Sequence, residues 1–129
     1  MITQKKKILI IDDEIDILTM YKDALIKSGF EVEITQSGEQ GVELIPKFQP
    51  DAILLDILLP HTNGLDILDQ IKKDSNGNKI PIYCLTNLPE ESAKEKAMKM
   101  GAKEYYVKAY NEPDKIAQIL AKELGGTNA

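Results

Sequence analysis

The sequence contains no arginine and no tryptophan, and it has one histidine, one cysteine and two phenylalanines. All 16 basic residues are lysines, set against 21 acidic ones, for a net charge of −5. Recognition of DNA or RNA draws on basic patches and on the planar arginine fork, so direct nucleic-acid binding is not expected. A single cysteine excludes an internal disulfide framework and suits a reducing compartment, so a cytoplasmic location is expected. Long apolar runs are missing too. Stretches such as Ile8 to Ile11 extend for four residues, whereas a membrane span needs about 20, so no membrane insertion is expected. Lys5, Lys6 and Lys7 precede an apolar run that stops at Asp12, short of the roughly 7–15 apolar residues of a signal peptide. The length of 129 residues is that of one domain, expected to span 1–129 with an ordered core from about 6 to 124 and a frayed tail beyond.

What is present is an alternation. Ile8 to Ile11, Val32 to Ile34, Ala52 to Leu55, Ile80 to Leu85 and Tyr105 to Val107 read as strands. Between them run segments of helical period. Glu14 to Ser28 carries Ile15, Leu18, Leu25 and Ile26 and stops at Gly29. Ser37 and Gln40 form a capping-box pattern ahead of Gly41, Leu44, Ile45 and Phe48, with Pro46 expected to kink or shorten that helix. Gly64, Ile67, Leu68 and Ile71 make the next stripe. Pro89 and Gly101 bracket a helix whose sparse stripe, Ala93, Ala97 and Met100, predicts weak anchoring. Asn111 is the expected cap of a last helix that buries Ile116, Ile119, Leu120 and Leu124. Strands alternating with helices imply an α/β domain with a parallel sheet. The first, third and fourth strands are nearly continuous apolar runs and suit the centre. Glu31, Glu33 and Glu104 put the second and fifth at the edges. With right-handed crossovers the predicted fold is a (βα)5, flavodoxin-like three-layer sandwich of strand order 2-1-3-4-5.

In such a sheet, ligands bind at the carboxyl ends of the strands near the switch in strand order. There the sequence places Asp12, Asp13 and Glu14, then Asp56, then Thr86, then Lys108. Two carboxylates about 4 Å apart repel by several kcal/mol at an effective dielectric near 20. Clustered carboxylates therefore need a counter-ion, and oxygen ligands with retained waters suit Mg²⁺. A divalent cation together with Lys108 neutralises three carboxylates and lets the cleft admit a phosphoryl group. An aspartate that attacks phosphorus forms an acyl phosphate. Taken alone, the acidic run also reads as a first helical turn favoured by the helix dipole, and Thr86 as an ordinary strand-end hydroxyl.

Asp12-Asp13, Asp56 with Pro60 and Gly64 downstream, Thr86 and Lys108 resemble the signature of the bacterial two-component response regulator receiver domain, of chemotaxis-regulator type, from about Lys6 to Leu124. The resemblance implies that Asp56 is the phosphoacceptor. It implies Mg²⁺ ligation by Asp13, Asp56 and the backbone carbonyl of Leu58, with Asp12 acting through water. Lys108 would pair with the phosphoryl oxygens. Thr86 would swing to hydrogen-bond the phosphoryl group, and Tyr105 would be the aromatic switch, outward or mixed before phosphorylation. Implied partners are a sensor histidine kinase or histidine phosphotransfer protein and a downstream protein target or effector domain, the chain being a monomer or a weak phosphorylation-dependent dimer.

Two positions depart from the family's pattern. Ala109 stands where proline usually follows the lysine, and Asn87 where a small residue usually follows the threonine. A cis bond costs about 0.5–1 kcal/mol before proline but about 2.5–4 kcal/mol before other residues, so Lys108–Ala109 is expected to be trans. The bland readings are a loop histidine in solvent at His61, an inert core thiol at Cys84, and a solvated charged face over Glu90 to Lys103.

Other functions have specific requirements. An aspartyl-nucleophile phosphatase of the haloacid dehalogenase type needs a second aspartate at the position of Leu58 and room for a cap domain. A flavin carrier needs a phosphate loop where Asp12-Asp13-Glu14 stands. A degenerate receiver-like module that is never phosphorylated is the remaining alternative, against which the retention of all five core residues counts.

Overall fold

In a computed structural model, residues 5–60, 62–88 and 91–125 are described. The readings of His61 as a solvated loop residue, of Pro89 as a helix start and of Glu90 as part of a charged face lie outside them, as does the tail from 126 on. The elements run β1 (Lys7–Ile11), α1 (Ile15–Lys27), β2 (Glu31–Thr35), α2 (Gly38–Phe48), β3 (Ala52–Leu55), β4 (Leu58–Leu59), β5 (Thr62–Asn63), α3 (Gly64–Lys73), β6 (Ile82–Thr86), α4 (Glu91–Lys99), β7 (Glu104–Val107), a 3₁₀ turn (Lys108–Tyr110) and α5 (Pro113–Leu124).

The main sheet is parallel, in the order β2-β1-β3-β6-β7. With the short antiparallel hairpin β4–β5 set aside, this is the predicted 2-1-3-4-5. Its cause is visible in the strands. Along β1, Leu9 and Ile11 point to one side of the sheet and Ile8 and Ile10 to the other, the period-2 alternation of a pleated strand. All four are buried, so β1 must lie inside. The side of Leu9 packs against Ile45 of α2, Ile67, Leu68 and Ile71 of α3, and Ala93 and Ala97 of α4. The side of Ile8 packs against Leu18, Tyr21 and Leu25 of α1 and Ile116 and Leu120 of α5. The result is three layers, with α1 and α5 on one face and α2, α3 and α4 on the other.

Several local expectations are corrected. In α1 the buried stripe is Leu18, Tyr21, Ala24 and Leu25, while Ile15 and Ile26 are exposed. Gly29 does end that segment, at φ 95°. Only half of the capping box forms. Ser37 accepts the Gln40 N–H, but the Gln40 side chain turns to the Thr35 hydroxyl, which also takes the Ser37 N–H. α2 passes through Pro46 and stops two residues later, with Gln49 at φ 53°. The fourth strand starts at Ile82 rather than Ile80 and includes Thr86. Asn111 does not cap α5. Its side-chain amide donates to the Val107 carbonyl at 2.8 Å, and Glu112 takes the cap position with Pro113 opening the helix.

Candidate functional site

The carboxyl ends of β1, β3, β6 and β7 bring the strand-end residues to one edge of the sheet. β1 and β3 are paired in register, Ile11 beside Leu55, so the residues that follow them, Asp12 and Asp56, emerge side by side. The Asp56 N–H donates to the Ile11 carbonyl at 2.9 Å and the Asp12 N–H to the Thr35 carbonyl at 3.0 Å, continuing the ladders one step past the strands. Both aspartates are buried, and Asp13 is half-buried. One carboxylate oxygen from each of Asp12, Asp13 and Asp56 lies within 4.8 Å of the others. All three are hard oxygen donors, a set that fits a divalent cation such as Mg²⁺.

The backbone around them is shaped to hold the carboxylates. Asp12 accepts the Glu14 N–H at 2.9 Å. Asp56 accepts the N–H of Leu58 at 2.9 Å through Oδ1, which folds the chain back over Asp56 and turns the Leu58 side chain out to solvent. Gly64, at the start of α3, packs under this turn. A Cβ there would fall on the Ile57 backbone and 2.6 Å from the Asp56 carbonyl oxygen, so the close approach requires glycine. Asn63 caps α3 by accepting the Leu65 N–H at 2.9 Å.

Lys108 reaches into the cluster from the far side. Its ammonium lies 2.6 Å from Asp12 Oδ2, 2.9 Å from Glu14 Oε1 and 3.0 Å from Asp56 Oδ2. Its side chain is 3% exposed. Burial alone would lower the ammonium's pKa, but hydrogen bonds to Asp12 and Glu14 and the charge of Asp56 outweigh it and hold it above the usual lysine range. Burial pushes the Asp12 carboxyl up to about 6, the opposing pull of Lys108 falling short of the desolvation cost. Glu14 is a third partner of Lys108 that the sequence does not reveal, since nothing in the spacing shows that a residue 94 positions away will meet it. The Lys108–Ala109 bond is trans, as are all described peptide bonds.

Thr86 is fully buried at the end of β6, and its hydroxyl accepts the Leu88 N–H at 3.3 Å. Tyr105, expected outward or mixed, is 7% exposed, and its hydroxyl donates to the Leu88 carbonyl. That carbonyl offers the ring's polar end a partner while the ring joins the core beside Ala93, Ala97 and Ala102. Asn87, the departure from pattern after Thr86, accepts the Ala109 N–H at 3.2 Å. No helix among the described residues is long and apolar enough to cross a membrane.

Comparison with known proteins shows the family. Residues 8–121 match the model of the response regulator receiver domain. The phosphate regulon transcriptional regulatory protein PhoB of Pseudomonas aeruginosa is 35% identical over 116 residues, which are 90% of this chain and 51% of that protein. This chain thus spans about half the length of the curated relatives it matches. Among solved structures, a putative response regulator from Chloroflexus aurantiacus superposes with a TM-score of 0.85 at 30% identity, covering 95% of this chain and 99% of that one. The receiver domain of the sensor histidine kinase PA1611 from Pseudomonas aeruginosa, solved with a magnesium ion in its active site cleft, superposes with a TM-score of 0.82 at 26% identity, covering 95% of this chain and 100% of that one. With its fold, its acidic cluster and the family match in agreement, the chain belongs to the response regulator receiver domains of two-component signalling systems.

Proposed function

We propose that Asp56 is the phosphoacceptor of this receiver domain, that 1–129 forms one such domain, and that the acyl phosphate switches its binding to a protein target or effector domain. The observation that carries this reading is the meeting of the Asp12, Asp13 and Asp56 carboxylates with the Lys108 ammonium at the carboxyl edge of the sheet. The donor is a histidine kinase or histidine phosphotransfer protein. An Asp56 oxygen attacks the phosphorus of the donor's phosphohistidine. The O–P bond forms as the P–N bond breaks, and the imidazole leaves with the electron pair.

Lys108, already within 3.0 Å of Asp56, turns its ammonium to the phosphoryl oxygens, where charge-assisted hydrogen bonds act in a partly water-excluded site. Thr86 gives up its contact at Leu88 and donates its hydroxyl to the phosphoryl group. Asp13, Asp56 and the Leu58 carbonyl, with Asp12 through water, are the residues that would hold Mg²⁺. When bound, that ion supplies positive charge against which a phosphoryl group and three carboxylates can approach one another. The chemistry ends with the domain's own phosphorylation and hydrolysis of its own acyl phosphate, so it acts as a signalling domain rather than a turnover enzyme. The setting is cytoplasmic, and the chain works as a monomer or a weak phosphorylation-dependent dimer.

Incubation with acetyl phosphate and Mg²⁺ tests this directly. Intact-mass measurement is expected to show one added phosphoryl group in the native chain and none in Asp56→Asn, whose amide is a poor nucleophile. Equal labelling of the two chains rejects Asp56 as the acceptor.

A further inference from the structure

The turn that carries Lys108 is held from three directions. Tyr21 of α1 donates its hydroxyl to the Asn111 carbonyl at 2.7 Å. Asn111 clasps the end of β7 through the Val107 carbonyl. On the side facing the β6 loop, Asn87 Oδ1 accepts the Ala109 N–H at 3.2 Å. This last bond joins the residue after Thr86 to the residue after Lys108. The two positions at which the sequence departs from the family's pattern are therefore bonded to each other.

We infer that Asn87 is a positioning residue for Lys108. Its hydrogen bond to the Ala109 amide restrains the Lys108–Tyr110 turn in the arrangement that aims the ammonium at Asp56. The inference rests on the reading of Asp56 as phosphoacceptor. Alanine at 109 leaves φ free and leaves an N–H able to donate, where proline would fix φ and carry no N–H. Asn87 accepts that N–H from a neighbouring loop and so replaces one local restraint with a tertiary one. Both residues are exposed, so the bond adds little to global stability, and its effect falls on the placement of the lysine. A long lysine stem has many rotamers, and a small loss of order in its turn spreads the ammonium over them.

The test is a double-mutant cycle on the full chain, read as the rate of Asp56 labelling by acetyl phosphate with Mg²⁺. Asn87→Ala is expected to slow labelling about five- to tenfold where Ala109 is present, the size of one lost neutral hydrogen bond. In the Ala109→Pro background, where no N–H remains, the same substitution is expected to change the rate less than about twofold. Ala109→Pro reshapes its own turn, because a residue before proline avoids the helical region, so its rate serves only as the reference for the second arm. Hydrogen exchange of the Ala109 amide reads the bond without phosphorylation, and Asn87→Ala is expected to speed it markedly. Equal slowing in both backgrounds, no slowing in either, or unchanged exchange overturns the role of Asn87 while leaving the assignment of Asp56 standing. Failure of the native chain to label at all rejects the assignment of Asp56 first, and the inference with it.

Discussion

The Lys108 ammonium sits closer to Asp12, at 2.6 Å, than to Asp56, at 3.0 Å. It thus serves as the organic counter-ion of Asp12, Asp56 and Glu14 and competes with any inorganic cation for the two aspartates. Lys108→Met is expected to lower the stability of the metal-free chain by about 3 kcal/mol, since removing one partner of a buried ion pair leaves its counter-charges uncompensated. Mg²⁺ should then recover part of the loss and bind more tightly than to the native chain. Urea melts with and without Mg²⁺ measure both effects. A variant as stable as the native chain, with unchanged Mg²⁺ affinity, would show that Lys108 does not occupy the cluster.

Magnesium should raise the melting temperature of the native chain, because binding to the folded state alone stabilises it by mass action. Asp13 is the member of the cluster with most access to solvent, so Asp13→Asn costs the fold little. It is expected to abolish most of the Mg²⁺-dependent shift while moving the metal-free melting point by less than about 0.5 kcal/mol equivalent. A full shift in Asp13→Asn rejects this ligand.

Gly64 and Asp56 are coupled through backbone alone. The Cβ of an alanine at 64 would press on the Asp56 carbonyl and the Ile57 backbone, which cannot move aside as the tip of a flexible side chain can. Gly64→Ala should cost about 1–3 kcal/mol and also slow phosphoryl labelling of Asp56. A loss of stability with unaltered labelling would mean that the strain relaxes away from the site.

Much of this was legible in the sequence. Buried strands announce themselves as unbroken apolar runs, and chemical residues at the ends of parallel strands must converge, so Asp12, Asp13, Asp56, Thr86 and Lys108 could be gathered at one edge before any coordinates. What was not legible depends on partners brought together by the fold. The hairpin β4–β5 has two residues a side, too short to carry a period. Asn111 has the character of a helix cap, but the open Val107 carbonyl beside it takes its side chain instead. Glu14 and Asn87 find Lys108 and Ala109 only through tertiary packing. Pro46 is read as a residue that kinks or shortens its helix, and α2 ends two residues after it.

Cys84 lies in β6 with no exposed surface. Burial, followed by the nearby charge of Asp56, pushes its thiol up to about 12 from an ordinary 9.0. A pKa raised on folding contributes stability that is complete below the unfolded value and lost as pH rises through the folded one, so this thiol's contribution declines only between about pH 9 and 12. At pH 8.5 the native chain should resist iodoacetamide for hours, while the urea-unfolded chain, with an ordinary thiol, reacts within minutes. Fast alkylation of the native chain would place Cys84 in a strand that opens easily.

The inward Tyr105 gives the last prediction. Its hydroxyl bonds to the Leu88 carbonyl, two residues past Thr86, whose own hydroxyl takes the Leu88 N–H. Leu88 is thus held through both its carbonyl and its amide, and any displacement of Thr86 toward a phosphoryl group must disturb the contact with Tyr105. Tyr105→Phe keeps the ring in the core and removes the hydroxyl, so the global cost should be about 1 kcal/mol. Locally the loop should loosen, with faster hydrogen exchange at the Leu88 amide in the unphosphorylated chain. Because the native contact stabilises the arrangement in which Thr86 faces Leu88, its removal should favour the displaced Thr86. Beryllofluoride, a phosphoryl mimic, should then bind Tyr105→Phe at least as tightly as the native chain, as population shift requires when a contact that favours the unphosphorylated arrangement is removed. Weaker binding would mean that the Tyr105 hydroxyl supports the phosphorylated state instead, and that the coupling runs in the opposite direction.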